Sequence, residues 1–287
     1  MHRRNFLEKS LVLAGAGIAG IHSLVKNFSI MIEPKDDISL AQWALVEEIR
    51  QGKWKTLDFP RIAREDFGLN GIEFVNTLFE APTESYLKKL KNNAASHGIT
   101  MVLIMVDDEG DGCADTKEGR KQFEINHRKW VDAAHYLGCH AIRTNCRGPQ
   151  TVDKNEALNW ASESYHLLLD YAAPANMNVV IENHGGVSND PDWMVSLMKK
   201  VNHPRFGTYP DWRSPGNQFD NVAYLRKTLP FAKGMSYRNQ PSEDLTAQMI
   251  KMSKDAGYKG WYGIESSGRD EIKKGIALLN KYLLKNS

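Results

Sequence analysis

Cysteine is scarce and badly spaced for a framework. The three in the chain, Cys113, Cys139 and Cys146, form no Cys-x-x-Cys pair. That excludes a disulfide scaffold and a thiolate zinc site, and leaves small buried residues as the expected role. An excess of either charge is also missing. There are 37 Lys+Arg against 35 Asp+Glu, and residues 1–35 hold five of the bases and two of the acids, so the remainder carries a net −1. A nucleic-acid binder needs a basic excess or stripe in its folded part, so no nucleic-acid partner is expected. No linker, low-complexity tract or charge block divides the body. A glycine-rich phosphate loop is absent after the first apolar run, since 38–43 leads into Ala-Leu-Val-Glu-Glu, which argues against a doubly wound nucleotide-binding sheet. What is present, 41% hydrophobic and 25% charged residues over 287 positions, is ordinary globular composition.

The first 32 residues read as an address. His2-Arg3-Arg4-Asn5-Phe6-Leu7-Glu8-Lys9 precedes a small apolar run at 11–21, the layout of a twin-arginine export signal. The run is too short and glycine-rich for a stable span of about 20 apolar residues. A signal peptide and spacer are expected over 1–32, one domain over 36–287, and an exported, periplasmic location. An uncleaved anchor is the alternative.

From residue 38 onward, eight β-type runs alternate with amphipathic helical stretches: 38–43, 71–77, 100–106, 141–145, 179–183, 206–211, 233–237 and 261–266. Runs such as Met101-Val-Leu-Ile-Met-Val106 are apolar throughout, as strands buried on both faces should be. Gly98, Gly138 and Gly257 stand just past helical stretches, where a left-handed cap favours glycine. Eight such units over about 250 residues spell a single (β/α)8 barrel.

A barrel places its chemistry at the carboxyl ends of its strands. Strand five ends in Glu182-Asn183-His184-Gly-Gly, strand six in Asp211-Trp212-Arg213, strand seven in Arg238-Asn239-Gln240 and strand eight in Glu265-Ser266. The oxygen-bearing candidates Glu182, Asp211, Gln240 and Glu265 are 29, 29 and 25 residues apart, about one βα unit each. Carboxylates converging on one mouth repel unless protons or a cation lie between them. An oxygen-rich site of this kind suits Mg²⁺ or Mn²⁺, with Zn²⁺ or Co²⁺ as alternatives.

The blocks Ile38-Ser-Leu-Ala-Gln-Trp, Leu57-Asp-Phe-Pro-Arg-Ile-Ala, Ile104-Met-Val-Asp, Ile181-Glu-Asn-His-Gly-Gly, Phe231-Ala-Lys-Gly and Gly263-Ile-Glu resemble exported members of the sugar isomerase/epimerase family of xylose isomerase-like TIM barrels. The resemblance runs from about Ile38 to Leu284. It implies a metal held by a Glu, an Asp, a His and a Glu on strands five to eight, which match Glu182, Asp211 and Glu265. Strand seven departs, and Gln240 stands for the histidine. The implied chemistry is a divalent cation on a sugar carbonyl and its neighbouring hydroxyl. Glu182 and Glu265 then move a proton by way of an enediolate.

Five residues are candidates for substrate binding: Trp43 for stacking, Glu73 and Arg143 as polar residues within strands two and four, His184 as a donor, and Arg238 on the enediolate charge. Four of them have a structural alternative: core packing for Trp43, a scaffold ion pair for Glu73 and Arg143, a backbone-bonded loop for His184. Asp107-Asp-Glu109-Gly-Asp111-Gly112 followed by Glu118 nearly fits a calcium loop, but a buried strand precedes it, so a mobile loop over the mouth is expected. A carbohydrate substrate, no stable membrane span and a homo-oligomer complete the expectations. Two readings stay open beside the isomerase: a lyase or dehydratase on a keto-sugar, and a metal-free carbohydrate-binding barrel.

Overall fold

The computed structural model describes residues 37–213 and 219–283; the expected export signal lies outside them. Eight strands form, β1 Asp37–Ala41, β2 Gly71–Val75, β3 Thr100–Met105, β4 Ala141–Thr144, β5 Asn178–Glu182, β6 Phe206–Tyr209, β7 Met235–Tyr237 and β8 Trp261–Ile264. All neighbouring pairs are parallel, in the order β6-β5-β4-β3-β2-β1-β8-β7. Bridges Thr208–Ala232 and Asp211–Ser236 join the two ends and close the sheet. One main helix follows each strand: α1 Phe59–Phe67, α2 Glu84–Ser96, α3 Lys117–Leu137, α4 Lys154–Ala172, α5 Pro191–Val201, α6 Asn221–Thr228, α7 Glu243–Asp255 and α8 Arg269–Leu283. The molecule is the (β/α)8 barrel that the alternation spells. Among the described residues, no helix is long and apolar enough to cross a membrane.

Local chemistry sets the helix ends. Thr83, Thr116, Asp153, Asp190, Asp220 and Ser242 each accept a backbone N–H in the first turn of α2 to α7. Each satisfies a donor that the helix itself cannot, worth about 1 kcal/mol. Gly138 stops α3 in the left-handed region, at φ 85°.

Strand residues alternate between two cores. Ile72, Phe74, Ile104, Ile142, Val179, Ile181, Tyr237 and Ile264 face the helices and are buried among them. Ala41, Val75, Leu103, Met105, Ala141, Val180, Tyr209 and Trp261 form the second cluster, inside the barrel. That interior is built from large side chains laid over glycines. A Cβ on Gly71 would lie 2.5 Å from the Trp261 ring, and one on Gly263 2.4 Å from a Glu73 carboxylate oxygen. Only glycine leaves room for either. All three cysteines are buried and free, in the role expected of them.

Candidate active site at the barrel mouth

Glu182 is the last residue of β5, Asp211 lies two residues beyond β6, and Glu265 follows β8 directly. Each is nearly fully buried, and each offers an oxygen within 4.8 Å of the others'. Local bonds explain how Asp211 is set. Its backbone N–H donates to Asn183 Oδ1 (2.8 Å), and Asn183 Nδ2 donates to its carbonyl (3.0 Å). Thus the Asn of the Glu-Asn-His run clamps β5 to the end of β6.

Arginines hold the acids together. Arg143, on β4, is buried, and its Nη1 donates to Asp107 Oδ1 at 2.7 Å. Its Nε lies 2.9 Å from Glu182 Oε2, as an ion pair without an aligned hydrogen bond. Arg238 places Nε 2.9 Å from Asp211 Oδ1 and Nη2 2.8 Å from Glu265 Oε1. Arg213 Nε stands 3.6 Å from Asp211 Oδ2. Among the described residues, two buried carboxylate oxygens, Glu182 Oε2 and Asp211 Oδ2, accept no hydrogen bond.

Burial dominates the titration of this cluster. It pushes Asp211 up to about 6, helped by the Glu182 charge and opposed by Arg238 and Arg213. Burial likewise raises Glu182 against the pull of Arg143, and Glu265 against the pull of Arg238. Burial would raise Asp107 too, but the Arg143 charge and the bonds from Arg143 and Asn145 outweigh it, and its carboxyl ends below the usual range. Burial, then the charges of Arg143 and Arg147, lowers His184 to about 4, so its ring is neutral.

Above the acids opens a cleft of about 690 Å³, lined among others by Trp43, Asp107, Arg143, Glu182, His184 and Glu265. This volume fits a small polar ligand. Asn145 Nδ2 donates to Asp107 Oδ1 (2.7 Å) and its Oδ1 accepts from Arg143 Nη1 (3.1 Å), which fixes its amide. That oxygen then faces His184 Nδ1 at 2.8 Å. Arg147 Nη2, a donor, stands 3.0 Å from the same Nδ1, so the two neighbours ask opposite roles of that nitrogen.

Four expectations need correction. Gln240 is not the strand-seven member of the cluster. β7 ends at Tyr237, and Gln240 turns its amide to Asn221 Nδ2 (3.1 Å) and the Arg238 carbonyl (2.8 Å). The residue level with Asp211 is Ser236, whose Oγ donates to Glu265 Oε2 at 2.6 Å. Glu73 does not reach the cleft. It is fully buried within the barrel, accepting from Ser39 Oγ (2.7 Å) and from Tyr209 OH. Burial raises it to about 7 against those bonds. Trp43 sits in the 3-10 turn after β1 rather than in the strand, though it lines the cleft.

The loop after β3 is tied down rather than loose. Asp107 holds Arg143, Asp111 accepts the backbone N–H of Cys113 (2.7 Å) and Arg147 (2.8 Å), and Glu109 pairs with Lys129. Its acids serve separate partners and do not converge. Asp107, Asn145 and Ser236 went unassigned in the sequence as members of the site. Their parity could have flagged them, because Asp107 continues the inward set Leu103-Met105, and Ser236 is level with Asp211.

A family model described as xylose isomerase-like TIM barrel matches residues 62–225. No curated protein matches the chain. Among solved structures, a xylose isomerase domain protein from Planctomyces limnophilus superposes with a TM-score of 0.68 at 15% identity, over 88% of this chain and 99% of that one. The 3-keto-D-glucoside 4-epimerase YcjR of E. coli gives 0.66 at 12%, over 79% and 94%. A xylose isomerase-like TIM barrel protein from Mycobacterium smegmatis, solved in complex with magnesium, gives 0.62 at 15%, over 86% and 95%. At such identities the likeness concerns the fold.

Proposed function

The chain belongs to the xylose isomerase-like TIM barrel family, and from that premise we propose that its mouth moves a proton beside the carbonyl of a sugar, as an isomerase or epimerase. One observation carries the reading: three buried carboxylates from the ends of β5, β6 and β8 meet beneath a polar cleft, two of them holding oxygens without a hydrogen bond among the described residues. Arginines already neutralise these acids, but oxygens left so keep lone pairs that an ion in the cluster can take.

Glu182, Asp211 and Glu265 fit a divalent cation on that ground, as an all-oxygen donor set of the kind that suits Mg²⁺ or Mn²⁺. When bound, the ion would polarise the sugar carbonyl and make the neighbouring C–H acidic. Everything else belongs to the chain. Glu182 and Glu265 both line the cleft, so one can take the proton and the other return it. Burial raises both above an ordinary glutamate, which brings a base closer to neutral pH, where general base catalysis works best. Arg143 holds Glu182 in place, and its charge opposes the rise that burial imposes on the carboxyl. The neutral His184 presents Nε2 to a sugar hydroxyl, and Trp43 offers an apolar face at the rim. The E. coli relative acts on a keto-sugar and the mycobacterial one was solved with magnesium, which supports both halves of the reading. The Arg3-Arg4 leader supports an exported protein, a point that fractionation of cells producing an Arg3→Lys/Arg4→Lys variant would test.

The test is deuterium wash-in. A panel of aldoses, ketoses and keto-glycosides is incubated with enzyme and Mn²⁺ in D2O and followed by proton NMR. At least one sugar should lose its signal beside the carbonyl, and Glu182→Gln and Glu265→Gln should each slow this about 10²–10⁴-fold. Sugars that raise the melting temperature but exchange nothing would overturn the reading in favour of a carbohydrate-binding barrel. The Ser236 hydroxyl and Arg238 guanidinium on Glu265 are the observations on which that second reading rests.

A further inference from the structure

Strand seven contributes a hydroxyl and a guanidinium to the acidic cluster, and both are bonded to it. Ser236 Oγ donates to Glu265 Oε2 at 2.6 Å. Arg238 spans the cluster from Asp211 Oδ1 (2.9 Å, Nε) to Glu265 Oε1 (2.8 Å, Nη2), and its Nη1 donates to the Glu265 carbonyl at 3.1 Å. Both oxygens of Glu265 and one of Asp211 are therefore engaged within the chain. What remains is Asp211 Oδ2, on a side chain 1% exposed, with no hydrogen bond among the described residues and Arg213 Nε 3.6 Å away.

A guanidinium and a divalent ion ask for the same lone pairs in different ways. The guanidinium donates N–H bonds at about 2.7–2.9 Å in a plane, whereas an ion draws oxygens from several directions to about 2.0–2.6 Å. Asp211 Oδ1 and Glu265 Oε1 cannot satisfy both in full, and a fixed positive charge beside the ion repels it. The two buried arginines differ in their freedom to yield. Arg143 has a side chain 2% exposed and two carboxylate partners on separate elements, whereas the Arg238 side chain is 22% exposed.

We propose that Arg238 is a resident cation that competes with the divalent ion for Asp211 and Glu265. In the metal-free protein it neutralises the pair. When the ion binds, Arg238 gives up both carboxylates and its head turns toward solvent. This rests on the proposed function in one respect, that the ion sits among Glu182, Asp211 and Glu265. It goes further in stating that the chain carries its own substitute for the metal and binds metal more weakly because of it.

The test is titration calorimetry with Mn²⁺ alone at pH 7.5, together with thermal unfolding with and without Mn²⁺, on the full chain. Wild type, Arg238→Met and Arg238→Lys are compared. Arg238→Met keeps bulk without charge, and should bind Mn²⁺ at least tenfold more tightly than wild type. Without metal it should melt lower, and saturating Mn²⁺ should raise its melting temperature more than wild type's. Arg238→Lys keeps the charge but cannot bridge both acids, so its affinity should fall between the two; it also serves if the Met variant does not fold. Equal or weaker Mn²⁺ binding by both variants overturns the competition while leaving the ion site standing. No Mn²⁺ binding by any of the three proteins up to 10-fold millimolar excess overturns the competition and the ion site together.

Discussion

Arg143→Met makes the sharpest demand on this description of the mouth. The arginine is buried on β4, 2.7 Å from Asp107 and 2.9 Å from Glu182, which is itself nearly sealed from solvent. Methionine fills much of the volume but strands both carboxylates. Removing one partner of a buried ion pair costs about 3–5 kcal/mol, because the remaining charge has lost its water and its counter-ion. Arg238 still acts on Glu182 from across the cluster, so the low end, about 3 kcal/mol, is expected. In a domain of this size that lowers the melting temperature by roughly 6–12 °C. The deficit also carries a pH signature. Without Arg143 the folded-state pKa of Glu182 rises further above its unfolded value, so the penalty is full at high pH and is relieved as pH falls through the raised pKa. Urea unfolding at pH 7.5 and pH 5.5 reads both quantities, and Arg143→Met/Glu182→Gln should recover about half of the loss. A variant within about 1 kcal/mol of wild type at pH 7.5, or a deficit that grows on acidification, would refute the ion-pair description.

Two further outcomes follow from the interior. Gly263→Ala should cost about 1–3 kcal/mol in urea unfolding, since its Cβ would stand 2.4 Å from a Glu73 oxygen that Tyr209 and Ser39 hold in place; an unchanged midpoint would mean that Glu73 lies elsewhere. His127 is a buried helix residue facing the Phe123 carbonyl and ring, and burial lowers it to about 4. A histidine depressed in the folded state favours folding above its unfolded pKa and loses that contribution as pH falls from about 6.5 toward 4, roughly 2 kcal/mol by pH 5. His127→Gln should remove that share of the acid sensitivity between pH 7 and pH 5, and an identical pH profile would contradict it.

The fold was legible because parallel strands sealed on both faces write themselves as short apolar runs, and all eight runs fall on observed strands. Seven of the eight observed strands end a residue or two before their runs do, because the last residues turn out of the ladder to build the mouth; β7 ends with its run and starts two residues later. Three acids of the cluster were legible for the same reason: a carboxylate closing an apolar run has nowhere to point but the barrel end. Depth within the barrel was not legible. Glu73 obeys the same parity as Glu182, and only the register of β2 with its neighbours puts it among packed side chains below the cleft. β7 is three residues long and ends at Tyr237, and the even spacing of about one βα unit points to Gln240, three residues past that end, where the pairing puts Ser236 level with Asp211. The arginines were visible as residues but not as partners, since nothing local ties Arg143 to Asp107, 36 positions away.

Anomalous diffraction from crystals soaked in millimolar Mn²⁺ addresses the core of the account most directly. It predicts one manganese peak bounded by oxygens of Glu182, Asp211 and Glu265 at about 2.0–2.6 Å, with the Arg238 guanidinium withdrawn from Asp211. A map with no peak among those carboxylates, or with manganese bound only elsewhere, would contradict it.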